Sequence, residues 1–214
     1  LLKTGICPNA DKSEINLSIG EPKHATPKFI LDALQSQLSL AANYPKTKGS
    51  DDLRASIASW LRTRFKLPQQ SIREDDHIMS VNGTREALFA FAQCVVDTRV
   101  NEPLVLFCNP FYQIYEGAAL LAGATPWYIN CDSNNNFQID YDSVPDSVWQ
   151  RCQLLYICSP NNPTGNVTQL ETIDQLFQLA DKFNFVIAAD ECYSEIYLDE
   201  DQAPLGLLEA ANIL

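Results

Sequence analysis

The chain has 214 residues, of which 46% are hydrophobic and 20% are charged, and these fractions are ordinary for a globular protein with a sizeable core. The formal net charge of −12 and the sequence pI of about 4.5 argue against nucleic acid or an anionic membrane surface as the partner. No apolar run reaches the length of a membrane span, and the first residues do not have the layout of a signal peptide.

The seven cysteines are odd in number and include no Cys-x-x-Cys pair, which argues against a disulfide framework and against a zinc site. Several fall inside predicted strands or helices, so we expect buried free thiols in a reducing compartment and a cytoplasmic protein. We predict no metal site from this pattern. The cysteines are Cys7, Cys94, Cys108, Cys131, Cys152, Cys158 and Cys192.

The N-terminal region contains an apolar segment, residues 15–20, which predicts a short extended stretch that ends at Gly20. A helix is predicted over residues 28–40, where apolar side chains recur at helical spacing. Thr26 is the expected cap of this helix, and Pro27 would lie in its first turn.

The next helix is predicted to begin after Ser50, whose side chain would cap it. Asp51 and Asp52 follow in the first turn, where the helix dipole favours negative charge. The spacing of the apolar residues is typical of an amphipathic helix. The expected inner face comprises Ile57, Trp60, Leu61 and Phe65.

Residues 77–81 predict a short strand that leads into a helix through Asn82, Gly83 and Thr84. Backbone N–H groups that are free at the start of a helix bind anions, and a glycine lets the backbone come close to the anion. This junction is therefore a candidate anion site, although a plain capped helix would have the same residues. The expected apolar stripe of the helix comprises Ala87, Leu88, Phe91 and Val95.

Two further strands are predicted at residues 103–108 and 125–130, with a helix between them. Residues 132–140 have the composition of a polar surface loop, and residues 143–150 predict a short helix. Because strands alternate with helices, the sequence predicts an α/β fold with a mostly parallel sheet flanked by helices.

An apolar run at residues 154–158, a helical stretch at 169–183 and a second apolar run at 185–189 predict a strand, a crossover helix and a strand. A crossover makes the two strands parallel, so both should end at the same edge of one sheet. Asn162 follows the first strand and Asp190 ends the second. We therefore expect this amide and this carboxylate to converge in the crevice where open α/β sheets bind ligands.

Asp190 would be a carboxylate at the tip of a buried strand, which is unfavourable unless a cationic or hydrogen-bonding partner meets it. Asn162 and Tyr193 can each donate a hydrogen bond to an oxygen atom. A protonated pyridine ring with an adjacent phenolate oxygen complements all three side chains. Its ring nitrogen would meet Asp190, and its oxygen would meet Asn162 and Tyr193.

Asn-Pro-Thr-Gly at residues 162–165 and Asp-x-x-Tyr at residues 190–193 occur in the order and spacing of a known family. With these motifs the sequence resembles the pyridoxal 5′-phosphate-dependent aminotransferases of the aspartate aminotransferase superfamily, from about residue 15 to the end. The resemblance implies the large domain of the fold-type-I pyridoxal enzymes. Residues 1–44 would form an N-terminal arm and part of a small domain, and residues 45–214 the cofactor-binding large domain, incomplete at its C-terminal side.

The resemblance also implies which residues contact the cofactor. Its phosphate would bind Gly83, Thr84 and Arg85. Tyr112 would stack on the pyridine ring, and aromatic stacking contributes roughly 0.5–1.5 kcal/mol beyond the burial of area. In the alternative interpretation, Tyr112 is a core residue and Tyr115 is the exposed one.

The remaining implied roles concern catalysis, the substrate and the subunit interface. Asp190 and Tyr193 would be the catalytic residues, with Asp190 keeping the ring nitrogen protonated. Gly20 would line the substrate carboxylate together with Asn162. In relatives, the tyrosine of a Tyr-x-x-x-x-Gly segment crosses a dimer interface to the cofactor phosphate of the other subunit. That match implies this role for Tyr44, and a homodimer.

Residues 17–24, LSIGEPKH, resemble the bacterial N-succinyldiaminopimelate aminotransferases. This resemblance implies transfer of an amino group between N-succinyl-LL-2,6-diaminopimelate or glutamate and a 2-oxo acid, in lysine biosynthesis. Lys23 and His24 would then face an acidic substrate, or they are solvated surface residues. The alternatives are a fold-type-I aminotransferase for aspartate, alanine or aromatic substrates, and a carbon–sulfur lyase.

The Schiff-base lysine of the family has no counterpart at its expected place. In relatives it follows the Asp-x-x-Tyr motif by a few tens of residues, whereas the only lysine after Lys66 is Lys182, at the end of the crossover helix. Because the chain begins with Leu1 and ends in an apolar stretch, we expect a fragment or a processed chain that cannot transaminate alone. The alternative is a non-catalytic homologue that keeps the cofactor pocket. A Rossmann nucleotide binder is disfavoured, since no Gly-x-Gly-x-x-Gly follows a predicted strand.

Overall fold

A computed structural model describes residues 13, 15, 20, 21 and 23–214 of the chain. The chain divides into two compact units, Leu1–Pro45 and Lys46–Leu214. No helix in the described part of the chain is long and apolar enough to span a membrane.

In the described residues of the N-terminal unit, helix α1 (Lys28–Ser36) is followed by a 3₁₀ turn over Leu38–Ala42. The predicted single helix over 28–40 is therefore interrupted, because the Gln37 N–H bonds to the Leu34 carbonyl in the tighter 3₁₀ pattern. Pro27 is the cap residue and no side chain caps the helix, so the prediction of Thr26 as the cap is wrong. Residues 16–19 of the predicted extended stretch lie outside the described part of the chain.

The C-terminal unit begins with helix α2 (Asp51–Arg64). The predicted cap is confirmed, because the Ser50 hydroxyl accepts a hydrogen bond from the Leu53 N–H at 3.2 Å. Trp60 was expected on the inner face, but 45% of its surface is exposed. Arg54 and Ala58 are buried instead, so the face that packs inward is rotated relative to the apolar stripe. Burial of Arg54 is possible because Asp51 and Asp75 neutralise its guanidinium group.

Helix α3 (Glu74–His77) is followed by an extended segment and then by helix α4 (Thr84–Val95). The prediction of a strand over 77–81 is wrong, since residue 77 is helical and residues 78–81 are not in a strand. Ile78 has extended backbone angles and packs against Ala58, but a strand also requires a neighbouring strand to complete its hydrogen bonds. On α4, Leu88 is buried as predicted, whereas Phe91 is exposed and Ala92 is buried in its place.

The sheet has four parallel strands, and their order across the sheet is β2–β1–β3–β4. This arrangement confirms the predicted α/β fold with a parallel sheet flanked by helices. The strands are β1 (Leu104–Asn109), β2 (Thr125–Asn130), β3 (Cys152–Cys158) and β4 (Val186–Asp190). The remaining helices are α5 (Ile114–Leu121), α6 (Asp146–Trp149), α7 (Leu170–Phe183) and α8 (Leu207–Ile213).

Both faces of the sheet are covered, and β1 shows this most clearly. Val105 and Phe107 pack on one side with residues of α4 and α5, whereas Leu104 and Leu106 pack on the other side with residues of α6 and α7. Alternate residues of a strand point to opposite faces, so a strand between two layers is apolar throughout. Burying each of these side chains contributes roughly 1.5–3 kcal/mol.

The predicted unit of strand, crossover helix and strand is present as β3, α7 and β4. Helix α7 buries Ile173 and Leu176 and ends at Phe183. Its C-cap residue, Asn184, has a left-handed backbone conformation (φ 57°) that turns the chain into β4. In the pairing of the two strands, Cys158 lies beside Asp190. Both strands therefore finish at the same edge of the sheet, and Asp190 lies at that edge.

Candidate active site

Asp190 is the last residue of β4, and only 6% of its surface is exposed. The Tyr115 hydroxyl donates a hydrogen bond to its Oδ2 at 2.8 Å, and the Cys192 N–H donates a longer one to Oδ1 at 3.4 Å. None of the ion pairs formed among the described residues involves Asp190. A carboxylate with two lone pairs on each oxygen can accept further bonds, so this buried site is suited to a cationic donor.

Asn162 and Tyr193 lie together beside this edge of the sheet. The Asn162 Nδ2 donates to the Tyr193 hydroxyl at 3.4 Å. The two residues line an open cavity of about 280 Å³, together with Pro163 and Ile196. Burial is the main cause that raises the pKa of Tyr193, followed by the neighbouring thiols and Asp190. Its phenol group therefore stays protonated at neutral pH and can act as a hydrogen-bond donor.

The loop that holds Asn162 is closed by its own hydrogen bonds. The Asn161 N–H donates to the Asn166 carbonyl at 2.8 Å, and the Gly165 N–H donates to the Asn161 carbonyl at 2.7 Å. Gly165 has a φ of 75°, a backbone conformation that residues with a Cβ rarely adopt. The Pro/Asn/Gly composition of the motif thus has a local structural reason, because it builds a tight loop at the end of β3.

The segment after Asp190 is held by contacts to distant parts of the unit. Glu191 Oε1 accepts a hydrogen bond from the Leu207 N–H at 2.7 Å, so this carboxylate binds the start of α8. Arg64 donates to the Ser194 carbonyl at 3.0 Å and pairs with Glu195. These contacts hold Glu191 and Ser194, the residues on either side of Cys192 and Tyr193.

The predicted anion site lies at the start of α4. Gly83 is the N-cap residue of this helix, and no side chain caps the helix. The φ of Gly83 is 148°, which is in the range that favours glycine. A Cβ built on Gly83 would meet no atom within 4 Å, so the backbone faces open space. Thr84 and Arg85 are exposed. The backbone N–H groups of this helix start are therefore accessible to an anion.

Tyr112 is partly buried and precedes α5, whereas Tyr115 lies in the first turn of that helix with 1% of its surface exposed. The rings are nearly perpendicular, with centroids 5.9 Å apart. The alternative in which Tyr115 is the exposed residue is therefore wrong. Tyr115 points into the core because Ala118 and Ala119, three and four residues later, lie on the same buried face.

Tyr115 is a site residue that sequence reasoning missed, since its partner Asp190 lies 75 residues away. A signal was present in the sequence. A tyrosine aligned with the small apolar residues of an inner helix face must find a partner for its hydroxyl group.

Gly20 and Tyr44 belong to the N-terminal unit, so the geometry of the site in the other unit does not test their roles, which stay predictions. The Tyr44 side chain is fully exposed. Lys23 pairs with Glu21, and both Lys23 and His24 are exposed.

Lys182 forms an ion pair with Asp146 at 3.3 Å. It lies near the end of α7, before β4 begins, and β4 extends the chain by roughly 13 Å before Asp190 is reached. This places Lys182 toward the sheet edge opposite Asp190, as predicted.

The thiols of the described residues divide into two groups, and Cys7 lies outside the described part of the chain. Cys108, Cys131, Cys152 and Cys158 are buried and free, as expected, but Cys94 and Cys192 are exposed. Desolvation of the thiol and the neighbouring Asp190 raise the pKa of Cys192 to about 12. Its thiol is therefore protonated at neutral pH and a poor nucleophile. Within the described residues, no group of three or more His, Cys, Asp or Glu side chains could hold a metal ion.

Comparisons with known proteins identify relatives of this chain. The family described as aminotransferase class I and II matches residues 12–213. The LL-diaminopimelate aminotransferase of Nitratidesulfovibrio vulgaris (strain DP4) is 32% identical over 196 residues, which are 91% of this chain and 49% of that protein. That of Aquifex aeolicus (strain VF5) is 32% identical over 192 residues, covering 89% and 48% of the two chains.

Solved structures are similar as well. An aminotransferase from Neisseria meningitidis Z2491 has a TM-score of 0.90 and 45% identity, covering 97% of this chain and 51% of that one. The aminotransferase AspB from Helicobacter pylori 26695 has a TM-score of 0.85 and 38% identity, with coverages of 95% and 52%. The chain spans about half the length of the curated relatives it matches. With its parallel sheet, its strand-tip carboxylate and a match from residue 12 to 213, the chain belongs to the aminotransferase class I and II family.

Proposed function

We propose that this chain carries part of the active site of a pyridoxal 5′-phosphate-dependent aminotransferase. One observation carries the proposal: Asp190 is a buried carboxylate at a strand tip, outside every ion pair formed by the described residues, in a chain of this family. A buried charge of this kind is strongly unfavourable without a partner. The protonated ring nitrogen of the cofactor would be that partner.

The residues fit the cofactor in their donor chemistry. Asp190 would accept from the ring N–H, while the Asn162 amide and the Tyr193 hydroxyl would donate to the ring oxygen. The phosphate would lie on the exposed start of α4, at Gly83, Thr84 and Arg85. The partly buried ring of Tyr112 would pack on the pyridine ring.

When bound, pyridoxal phosphate supplies an aldehyde that exchanges for an amine and a ring that withdraws electrons from the substrate carbon. The residues of this chain would do the rest. Asp190 would hold a proton on the ring nitrogen, which keeps the ring electron-poor. Asn162 and Tyr193 would fix the tilt of the ring through its oxygen, and the helix start would anchor the phosphate.

For the substrate, we propose an amino acid of the diaminopimelate type, with a 2-oxo acid as the acceptor. Support comes from the relatives named LL-diaminopimelate aminotransferase and from residues 17–24, which resemble the enzymes for the N-succinyl derivative. Both interpretations place the activity in lysine biosynthesis. Gly20 and Asn162 would bind the substrate carboxylate, and Tyr44 would reach the phosphate of a second subunit in a homodimer.

Relatives have the lysine that binds the cofactor covalently after the Asp-x-x-Tyr motif, and no lysine follows Tyr193 in these 214 residues. Lys182, the nearest lysine before the motif, is paired with Asp146. We therefore propose that the chain alone binds the cofactor without a covalent bond and does not transaminate. A non-catalytic homologue is the second candidate, and the same observation favours it.

The test is a titration of the purified chain with pyridoxal 5′-phosphate, followed by borohydride reduction and peptide mass mapping. We expect saturable binding with no lysine reproducibly labelled. Site-specific labelling of Lys182 at saturation would contradict the proposal, and so would the lack of any saturable binding. Joining the chain to a lysine-bearing C-terminal half from a relative, and assaying LL-diaminopimelate, its N-succinyl derivative and aspartate, would separate the substrates.

A further inference from the structure

Tyr115 and Tyr156 form a column of stacked, buried rings, and one end of this column contacts the Asp190 carboxylate. The Tyr115 ring stacks on the Tyr156 ring with centroids 4.8 Å apart and an interplanar angle of 12°. The Tyr115 hydroxyl donates to Asp190 Oδ2 at 2.8 Å, and the Tyr156 hydroxyl donates to the Leu88 carbonyl of α4 at 2.5 Å. Both rings are fully buried. The column therefore connects the tip of β4 to α4, the helix whose N-cap residue is Gly83.

The chemistry of the Tyr115 hydroxyl suits one task, which is to donate to a carboxylate. Burial raises its pKa far above the ordinary value, and the nearby Cys158 and Asp190 raise it further, so it does not ionise. Its ring is held on two sides, by the stacked Tyr156 and by the perpendicular Tyr112. The hydroxyl group cannot turn to water, and its hydrogen bond restrains the rotation of the Asp190 carboxylate.

We propose that Tyr115 is a positioning residue that holds one oxygen of Asp190 in place and leaves the other for the ring nitrogen of the bound cofactor. This inference rests on the proposed function for its purpose, but the contact itself is testable without any ligand. Through Tyr156, the same column sets the spacing between Asp190 and α4. The spacing matters because the ring nitrogen and the phosphate of one rigid cofactor must be met at the same time.

The test compares Tyr115→Phe with a matched control, Tyr141→Phe. Tyr141 is equally buried, but its hydroxyl group has no hydrogen-bond partner in the described part of the chain, and it packs on the other face of the sheet. The probe is pyridoxine 5′-phosphate labelled with ¹⁵N in the ring, since this compound has the ring and the phosphate but needs no lysine. Affinity and the ¹⁵N shift of the bound ring are measured near pH 8.

We expect Tyr115→Phe to weaken binding by roughly three- to tenfold and to move the ring-nitrogen signal toward its unprotonated position, because a loosely held carboxylate retains the ring proton less well. Tyr141→Phe should change neither quantity. A role of Tyr115 in core packing alone would leave the ¹⁵N shift unchanged.

A ligand-free double-mutant cycle tests the contact separately. Urea unfolding is measured for Tyr115→Phe, Asp190→Ala and the double variant, and for the same cycle with Tyr141→Phe, because alanine at position 190 leaves no side-chain acceptor for the Tyr115 hydroxyl. We expect the Tyr115 cycle to depart from additivity by about tenfold in the unfolding equilibrium constant, as for a hydrogen bond to a charged group, and the Tyr141 cycle to be additive.

The outcomes separate the two proposals. An additive Tyr115 cycle, or a bound ring whose ¹⁵N shift and affinity are the same in Tyr115→Phe and Tyr141→Phe, overturns the positioning role. If the unaltered chain does not bind the probe, or if Asp190→Asn binds it equally well, the proposed function fails. In that case the cycle still decides whether Tyr115 holds Asp190.

Discussion

Asp190 and Gly83 stand at the two ends of the proposed cofactor site, and their surroundings differ in kind. Asp190 is buried and accepts a hydrogen bond from Tyr115 of α5. Gly83 is exposed, and a Cβ on it would touch nothing. The buried end depends on packing, whereas the exposed end depends on a local backbone conformation. Substitutions at the two ends should therefore differ in how they change the affinity for the cofactor and the free energy of unfolding.

The largest effect is expected from Asp190→Asn, which removes the charge but keeps the shape. The affinity for pyridoxal 5′-phosphate should fall by about 1.5–3 kcal/mol, the contribution of a hydrogen bond between charged groups. The amide oxygen can still accept from Tyr115, so the fold should persist. Asp181→Asn, at an exposed position of α7, is the matched control. Equal affinities of the two variants in isothermal titration would remove Asp190 from the site.

An intermediate effect is expected at the exposed end, from Gly83→Ala. The φ of 148° is strained for alanine, so the free energy of unfolding should fall by about 1–3 kcal/mol, and binding of the phosphate should weaken as the helix start rearranges. The control is Gly117→Ala in α5, where a Cβ also meets no atom within 4 Å but the backbone is helical. That change should stabilise the chain by about 0.5–1 kcal/mol. If Gly83→Ala and Gly117→Ala changed the free energy of unfolding in the same direction, as measured with urea, this explanation would be contradicted.

The smallest effect is expected from Arg85→Ala. Arg85 is exposed, so an interaction with the phosphate would be worth about 1 kcal/mol or less and would be screened by salt. We expect a few-fold loss of affinity in 20 mM salt that disappears near 1 M, with no change in stability. Arg73→Ala, which removes another exposed arginine, should leave the affinity unchanged. A salt-independent loss would indicate that Arg85 becomes buried in the complex, contrary to a phosphate site that stays exposed.

Much of the unit around Asp190 was predictable from local sequence. The bounds of β3, α7 and β4 follow from an apolar run, a helical repeat and a second apolar run, because burial between two layers imposes those patterns directly. The parallel pairing of β3 with β4 follows from the geometry of a crossover connection. The motifs at 162–165 and 190–193 then indicated the family.

Other features depended on contacts that no local pattern encodes. The segment 78–81 has strand-like residues, yet whether an extended segment is a strand depends on a neighbour to pair with. Trp60 and Phe91 lie on apolar stripes but are exposed, since the partner surface contacts a rotated face of each helix.

The sequence by itself determined the fold class, the family and the position of Asp190 at a strand tip, because periodicity and motif spacing are local properties of the chain. Only the tertiary structure decided that Tyr115, and not Tyr112, is the buried tyrosine, and that its hydroxyl bonds to Asp190. That contact joins residues 75 positions apart, and the packing of α5 against β3 and β4 brings them together.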